Sequence, residues 1–250
     1  MIDGPAISVR GLTVQYGPVV ALQGLDLELS AGRLFGVLGP NGAGKSSLMK
    51  ALTGEIRPQA GEIRLFGETG KAGLRHIAQV AQRSAVDWDF PITVRGVVEQ
   101  GRYATLGLFG RMRKSDHDAV DAAIARAGLG ELATRRISEL SGGQQQRTFV
   151  ARALARDARL VLLDEPFAGV DAASEHALMD VLRQLVLDGV TVVVVHHDLH
   201  TAASYFDELV LVKGRVVAQG APGEVLQPET LAQAYGSSLF LMQDERRSGR

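Results

Sequence analysis

Gly39-Pro40-Asn41-Gly42-Ala43-Gly44-Lys45-Ser46 is the stretch that decides how this chain folds. A glycine, four intervening residues, then Gly-Lys-Ser is the spacing of a phosphate-binding loop. Glycines let the backbone curl so that several N–H groups face a phosphate, and a following helix adds its positive end. Lys45 brings a point charge for the outer phosphates, and the Ser46 hydroxyl suits Mg²⁺. The surroundings agree with this reading. Leu34–Leu38 reads as a compact apolar strand before the loop, and a helical pattern runs from Lys45 to Thr53 after it. The plainer alternative is a Gly-rich strand-to-helix turn with no ligand. On the phosphate reading, Gly39, Pro40, Asn41, Gly42, Ala43, Gly44, Lys45, Ser46 and Ser47 are the nucleotide-binding candidates.

A second apolar run, Leu160-Val161-Leu162-Leu163, ends in Asp164-Glu165 and then Pro166. A buried strand would deliver Asp164 to the carboxyl edge of a sheet, where open α/β sheets place their ligands. There Asp164 can hold Mg²⁺ through water, and Glu165 can orient and polarise an attacking water.

Working outward, Ala6–Arg10, Leu12–Gln15 and Leu25–Leu29 read as antiparallel strands, with turns expected at Gly11, Gly17 and Gly24. Two more strand-like pieces surround Gly61, and Ile77–Val80 makes another. From about Ser84 to Arg156 helical, Ala-rich spacing takes over, as in Asp116–Ala127. Strand signals return at Leu160–Leu163 and Val190–Val195, separated by a helix across Ser174–Leu187. Such alternation implies an α/β fold with a mainly parallel sheet covered by helices.

Composition narrows the function. Among 250 residues, 46% are hydrophobic, enough for a sizeable core, and 27 Lys+Arg against 28 Asp+Glu leave a formal charge of -1. With no basic excess, nucleic acid is not expected as a partner. The absence of cysteine suits a reducing compartment. The N-terminus lacks a secretory pattern, and no apolar run approaches the roughly 20 residues of a membrane span, so any channel is expected on another chain.

Leu140-Ser141-Gly142-Gly143-Gln144-Gln145-Gln146-Arg147, lying between the phosphate loop and the acidic strand, resembles the signature segment of ABC ATPases. By itself, the Ser141/Gln144 spacing is also that of a plain capping box. Other segments match the family in order. Tyr16 resembles the aromatic that stacks on adenine, and Gln82 the Q-loop glutamine. Gly169-Val170-Asp171 resembles the D-loop, and His197 the switch histidine. The resemblance covers residues 6–225 and implies a P-loop NTPase of the ABC-ATPase fold. It implies a catalytic core over 1–84 and 157–230 with an N-terminal antiparallel β subdomain, a helical lobe over 85–156 and a short extension over 231–250.

In function, the resemblance implies an ATP- and Mg²⁺-dependent ATPase acting as an ATP-dependent homodimer. Glu165, His197, Gln82 and Lys45 would be catalytic, and Ser46, Gln82 and Asp164 would hold Mg²⁺. Ser141, Gly142, Gly143, Gln144 and Asp171 would contact the nucleotide held by the partner subunit. It further implies integral membrane permease subunits, a separate extracytoplasmic substrate-binding protein, and a peripheral position on the cytoplasmic face of the cell membrane.

Val86-Asp87-Trp88-Asp89-Phe90-Pro91 and the later Gly101-Arg102-Tyr103 are similar to the ATPases of manganese, zinc and iron(II) importers. Iron-siderophore or haem import is the rival cargo, and a non-transport ABC ATPase acting on nucleic acid or ribosomes is the rival class. His196-His197-Asp198-Leu199-His200 invites a metal-site reading. Adjacent histidines point to opposite sides if the strand continues, so His197 is read instead as a γ-phosphate contact and His196 is given no catalytic role. Arg111-Met112-Arg113-Lys114 is read as a solvated loop.

Overall fold

A computed structural model describes residues 4–80, 90–106 and 110–236. The elements begin with β1 (Pro5–Tyr16), β2 (Val19–Ser30), β3 (Leu34–Leu38), α1 (Lys45–Leu52), β4 (Ala60–Leu65), α2 (Gly70–Leu74) and β5 (Ile77–Val80). They continue with α3 (Val94–Leu106), α4 (Lys114–Arg126), α5 (Gly142–Ala155), β6 (Leu160–Asp164), α6 (Ala172–Leu187) and β7 (Thr191–Val195). Last come α7 (Leu199–Tyr205), β8 (Glu208–Val212), β9 (Val216–Gly220), α8 (Pro222–Val225) and α9 (Pro228–Tyr235). One sheet has the order β2-β1-β4, and the other β5-β6-β7-β3-β8-β9. The chain divides into two compact units, Met1–Leu74 with Val193–Arg250, and Arg75–Val192.

In the first unit β1 pairs antiparallel with both β2 and β4, so that Val9 faces Leu27 on one side and Ile63 on the other. Ile7, Val9, Leu12 and Val14 are buried from β1, matched by Leu25, Leu27 and Leu29 from β2. The expected turns at Gly11 and Gly24 are not there. β1 and β2 each run on through their glycine, with a register shift between Val9 and Leu12. Gly11 has φ +58, so the chain bulges and keeps pairing. Only Gly17 sits in the hairpin turn. Likewise the two pieces around Gly61 are one strand, β4.

β3 is buried along its whole length and pairs parallel with β8, from Phe35 opposite Glu208 to Leu38 opposite Leu211. A strand buried on both faces reads as a continuous apolar run, which is why Leu34–Leu38 and Leu160–Leu163 stood out in the sequence. Asp207 fixes the start of β3 by accepting the Leu34 N–H at 2.8 Å, and Arg33 pairs with Glu208 at 2.5 Å. The β9 edge returns antiparallel to β8.

In the second unit β5 and β6 are parallel, Ile77 opposite Leu160 and Val80 opposite Leu163. Helices α3, α4 and α5 pack around Val94, Val98, Val120, Ile124, Leu129 and Val150, all buried. Arg102 of α3 ties this bundle together. It donates to Asp116 of α4 at 2.8 Å, to Asp157 at 2.5 Å and to the Ala155 carbonyl ending α5 at 2.9 Å. Asp116 also accepts the Arg113 N–H, and that bond, followed by Arg102, holds its carboxyl below the usual range.

Candidate functional site

The phosphate loop lies in the first unit. β3 ends at Leu38 and α1 starts at Lys45, with Gly44 as the residue before the helix. Gly44 has φ +95, and a Cβ there would meet Leu22 Cδ2 at 2.5 Å and Ala21 O at 2.6 Å. Only glycine tolerates both the angle and the crowding. No side chain caps this helix start. The N–H groups of the first turn thus keep their partial positive charge for an anion. Lys45 is 8% exposed and donates from Nζ to the Gly39 carbonyl at 2.6 Å and the Pro40 carbonyl at 3.0 Å. Asn41, Gly42 and Ser46 are exposed, Pro40 and Ser47 half-buried, and Ala43 buried. An uncapped helix start beside a lysine folded into a glycine-rich curl fits a polyphosphate.

In the same unit Tyr16 ends β1 opposite Val19. Tyr16 is 45% exposed, with Val19 and Val20 exposed beside it, so an aromatic ring is available for a flat ligand to stack on. After β7 the two histidines part. His196 is 2% exposed, with Nε2 2.7 Å from Thr201 Oγ1, and burial first, then His197, pushes its imidazole down to about 4. His197 is exposed. Asp198 caps α7 by accepting the His200 N–H at 2.9 Å.

The second unit holds the acidic pair and the Ser-Gly-Gly segment. β6 is buried from Leu160 to Leu163 and delivers Asp164 half-buried at its end. Glu165, also half-buried, has φ +49, a left-handed conformation that costs a non-glycine residue on the order of 1 kcal/mol or more. Such strain gathers where a side chain must be aimed. Ser141 precedes α5 in a reciprocal capping box: its N–H bonds Gln144 Oε1 at 3.0 Å, and its hydroxyl accepts the Gln144 N–H at 3.4 Å. The box leaves the Gly142 and Gly143 N–H groups at the helix start. Asp171 is exposed and caps α6, accepting the Ser174 N–H at 2.9 Å and its hydroxyl at 2.7 Å. Those Ser174 bonds hold the Asp171 carboxyl below its usual range. Gln82 lies outside the described residues, as does Val86–Asp89.

A profile of the ABC transporter family matches residues 22–168, more than half of the sequence. The chain belongs to the ABC transporter family. It is 44% identical over 239 residues to the manganese transport system ATP-binding protein MntB of Bacillus subtilis, covering 96% of both. It is 46% identical over 234 residues to the zinc transport system ATP-binding protein TroB of Treponema pallidum, covering 94% of this chain and 88% of that one. The solved structure of cbiO1 from Clostridium perfringens, part of an ABC transporter complex, superposes with a TM-score of 0.79 at 26% identity. It covers 98% of this chain and 100% of that one.

The ABC transporter fold here employs residues that sequence reading passed over. Ser174 sits so close to Gly143 that a Cβ on the glycine would collide with the serine Cβ and Oγ. The start of α5 and the Asp171 cap of α6 are therefore joined through one small side chain. Asp-x-x-Ser cap spacing was the available signal for Ser174. Nothing local marks Gly214, whose N–H bonds the Ala43 carbonyl of the phosphate loop at 2.8 Å.

Proposed function

We propose that this chain is the ATP-hydrolysing subunit of an ABC transporter that imports a divalent metal ion, manganese or zinc. The observation that carries the reading is the phosphate loop: an uncapped start of α1 with buried Lys45 folded against the Gly39 and Pro40 carbonyls. The cargo is supported by the manganese and zinc systems to which the relatives belong.

The residues divide the work. Gly39, Pro40, Asn41, Gly42, Ala43, Gly44, Ser46 and Ser47 wrap the phosphates with backbone N–H groups and hydroxyls, and Lys45 turns to the outer phosphates. Tyr16 stacks on the adenine. Ser46, Asp164 and Gln82 would hold Mg²⁺, which when bound neutralises phosphate charge. Glu165 accepts a proton from the attacking water, whose oxygen forms the new bond to the γ-phosphorus as the bond to ADP breaks. His197 and Gln82 help position that water and the γ-phosphate. Ser141, Gly142, Gly143, Gln144 and Asp171 face the nucleotide held by a second copy of the chain, so that ATP joins two subunits and hydrolysis releases them. Catalysis is positioning and electrostatics. Residues 1–84 and 157–230 serve as catalytic core and 85–156 as the lobe that meets permease subunits on the cytoplasmic face of the membrane. A separate extracytoplasmic protein supplies the ion.

The decisive test is Glu165→Gln. The amide cannot accept the water's proton, so hydrolysis should fall by about 10²-fold or more while ATP binding persists. The variant should then elute with ATP as a dimer on gel filtration. Turnover near wild type would remove Glu165 from the mechanism.

A further inference from the structure

The last described helix, α9, reaches the phosphate loop through the turn between β8 and β9. Lys213 donates from Nζ to the Gln233 carbonyl of α9 at 3.0 Å. The next residue, Gly214, donates its N–H to the Ala43 carbonyl at 2.8 Å and accepts the Gln23 N–H of β2 at 2.8 Å. One turn thus grips the helix on one side and the loop on the other. A cavity of about 740 Å³ opens beside this seam, lined by Lys213, Arg215, Val216, Val217 and Gln233.

Tyr235, the last residue of α9, is 5% exposed. Its hydroxyl is closed off from solvent and makes no hydrogen bond of normal geometry among the described residues, with the Gly39 backbone among the groups that act on it. Burial pushes the phenol up to about 12, and Gly39 acts in the opposite sense, as an N–H donor does. Gly39 is also the residue whose carbonyl holds Lys45.

We propose that α9 is a strut that pre-sets the phosphate loop for ATP, with Lys213 as the positioning residue acting through Gly214–Ala43. A glycine-rich loop loses much conformational freedom when it closes on a ligand, and bonds from outside reduce that loss before the ligand arrives. The inference rests on the ATP-binding reading above, but it assigns a role to residues beyond the segment that the family profile matches.

The test uses the full-length chain with Lys213→Met, which keeps the alkyl stem, Lys213→Arg, and Tyr235→Phe, which keeps the ring. A fluorescent ribose-substituted ATP reports affinity without turnover, and ATPase assays separate KM from kcat. Lys213→Met should weaken ATP about fivefold, the worth of one modest hydrogen bond, with the loss larger in KM than in kcat. Lys213→Arg should restore most of it. Tyr235→Phe, which removes a hydroxyl that makes no such bond, should stay within about twofold of wild type. An affinity within twofold of wild type in Lys213→Met, at any change in melting temperature, would overturn the strut and leave the ATPase reading intact. Failure of the wild type itself to bind the probe, at the level of Lys45→Ala, would instead overturn the ATPase reading and the strut with it.

Discussion

At Gly44 a single hydrogen in place of a side chain decides whether the loop can form. A Cβ there meets both a positive φ and the Ala21–Leu22 backbone and side chain. Gly44→Ala should therefore lower stability by roughly 2 kcal/mol and abolish measurable ATP binding, as checked by denaturant titration and nucleotide fluorescence. His196 presents a different residue-scale effect. Its folded-state value of about 4 lies below the ordinary histidine range near 6.5. The unfolded chain therefore binds the proton more readily, and stability rises with pH across that window. The His196 contribution is complete above about pH 6.5 and is lost as pH falls toward about 4. Melting curves from pH 7 to 4.5 should show this slope, and His196→Gln should flatten it.

Among the elements, α5 and α6 are held together at their starts by the contact of Ser174 with Gly143. Gly143→Ala should push the two caps apart and reduce ATPase activity about tenfold, the size of a typical steric coupling between touching residues. Ser174→Gly makes room for that methyl, so the double variant should recover activity over Gly143→Ala alone. Failure to recover would mean that the two caps work independently. The α3–α4–α5 bundle offers a second case. Arg102→Leu leaves Asp116 without its cation partner, so hydrogen exchange at the start of α4 should accelerate and the melting temperature fall.

For the molecule in its setting, no helix among the described residues is long and apolar enough to cross a membrane, and the formal charge is -1. The proposed role demands another chain for the channel. Uptake of labelled manganese, zinc and iron in cells lacking this subunit should be restored for one metal by wild type and not by Glu165→Gln. Restoration of none by wild type would remove the metal cargo and leave the nucleotide chemistry standing.

Much of this was legible in the chain alone, for a physical reason. A phosphate cradle, a doubly buried strand and a helix cap are local devices, each written within a few consecutive residues. Gly39 to Ser46, Leu160 to Glu165 and Ser141 with Gln144 could therefore be read in order. The bulges at Gly11 and Gly24 could not, because a left-handed glycine serves a turn and a continuing strand equally well, and only the partner strand chooses between them. The same holds for Gly143 against Ser174, Gly214 against Ala43, and Tyr235 beside Gly39. Their partners lie far away along the chain, so nothing in the neighbouring residues marks them. Local chemistry was determined by sequence; the contacts that set that chemistry in place were decided by tertiary packing, which alone brings distant residues within reach.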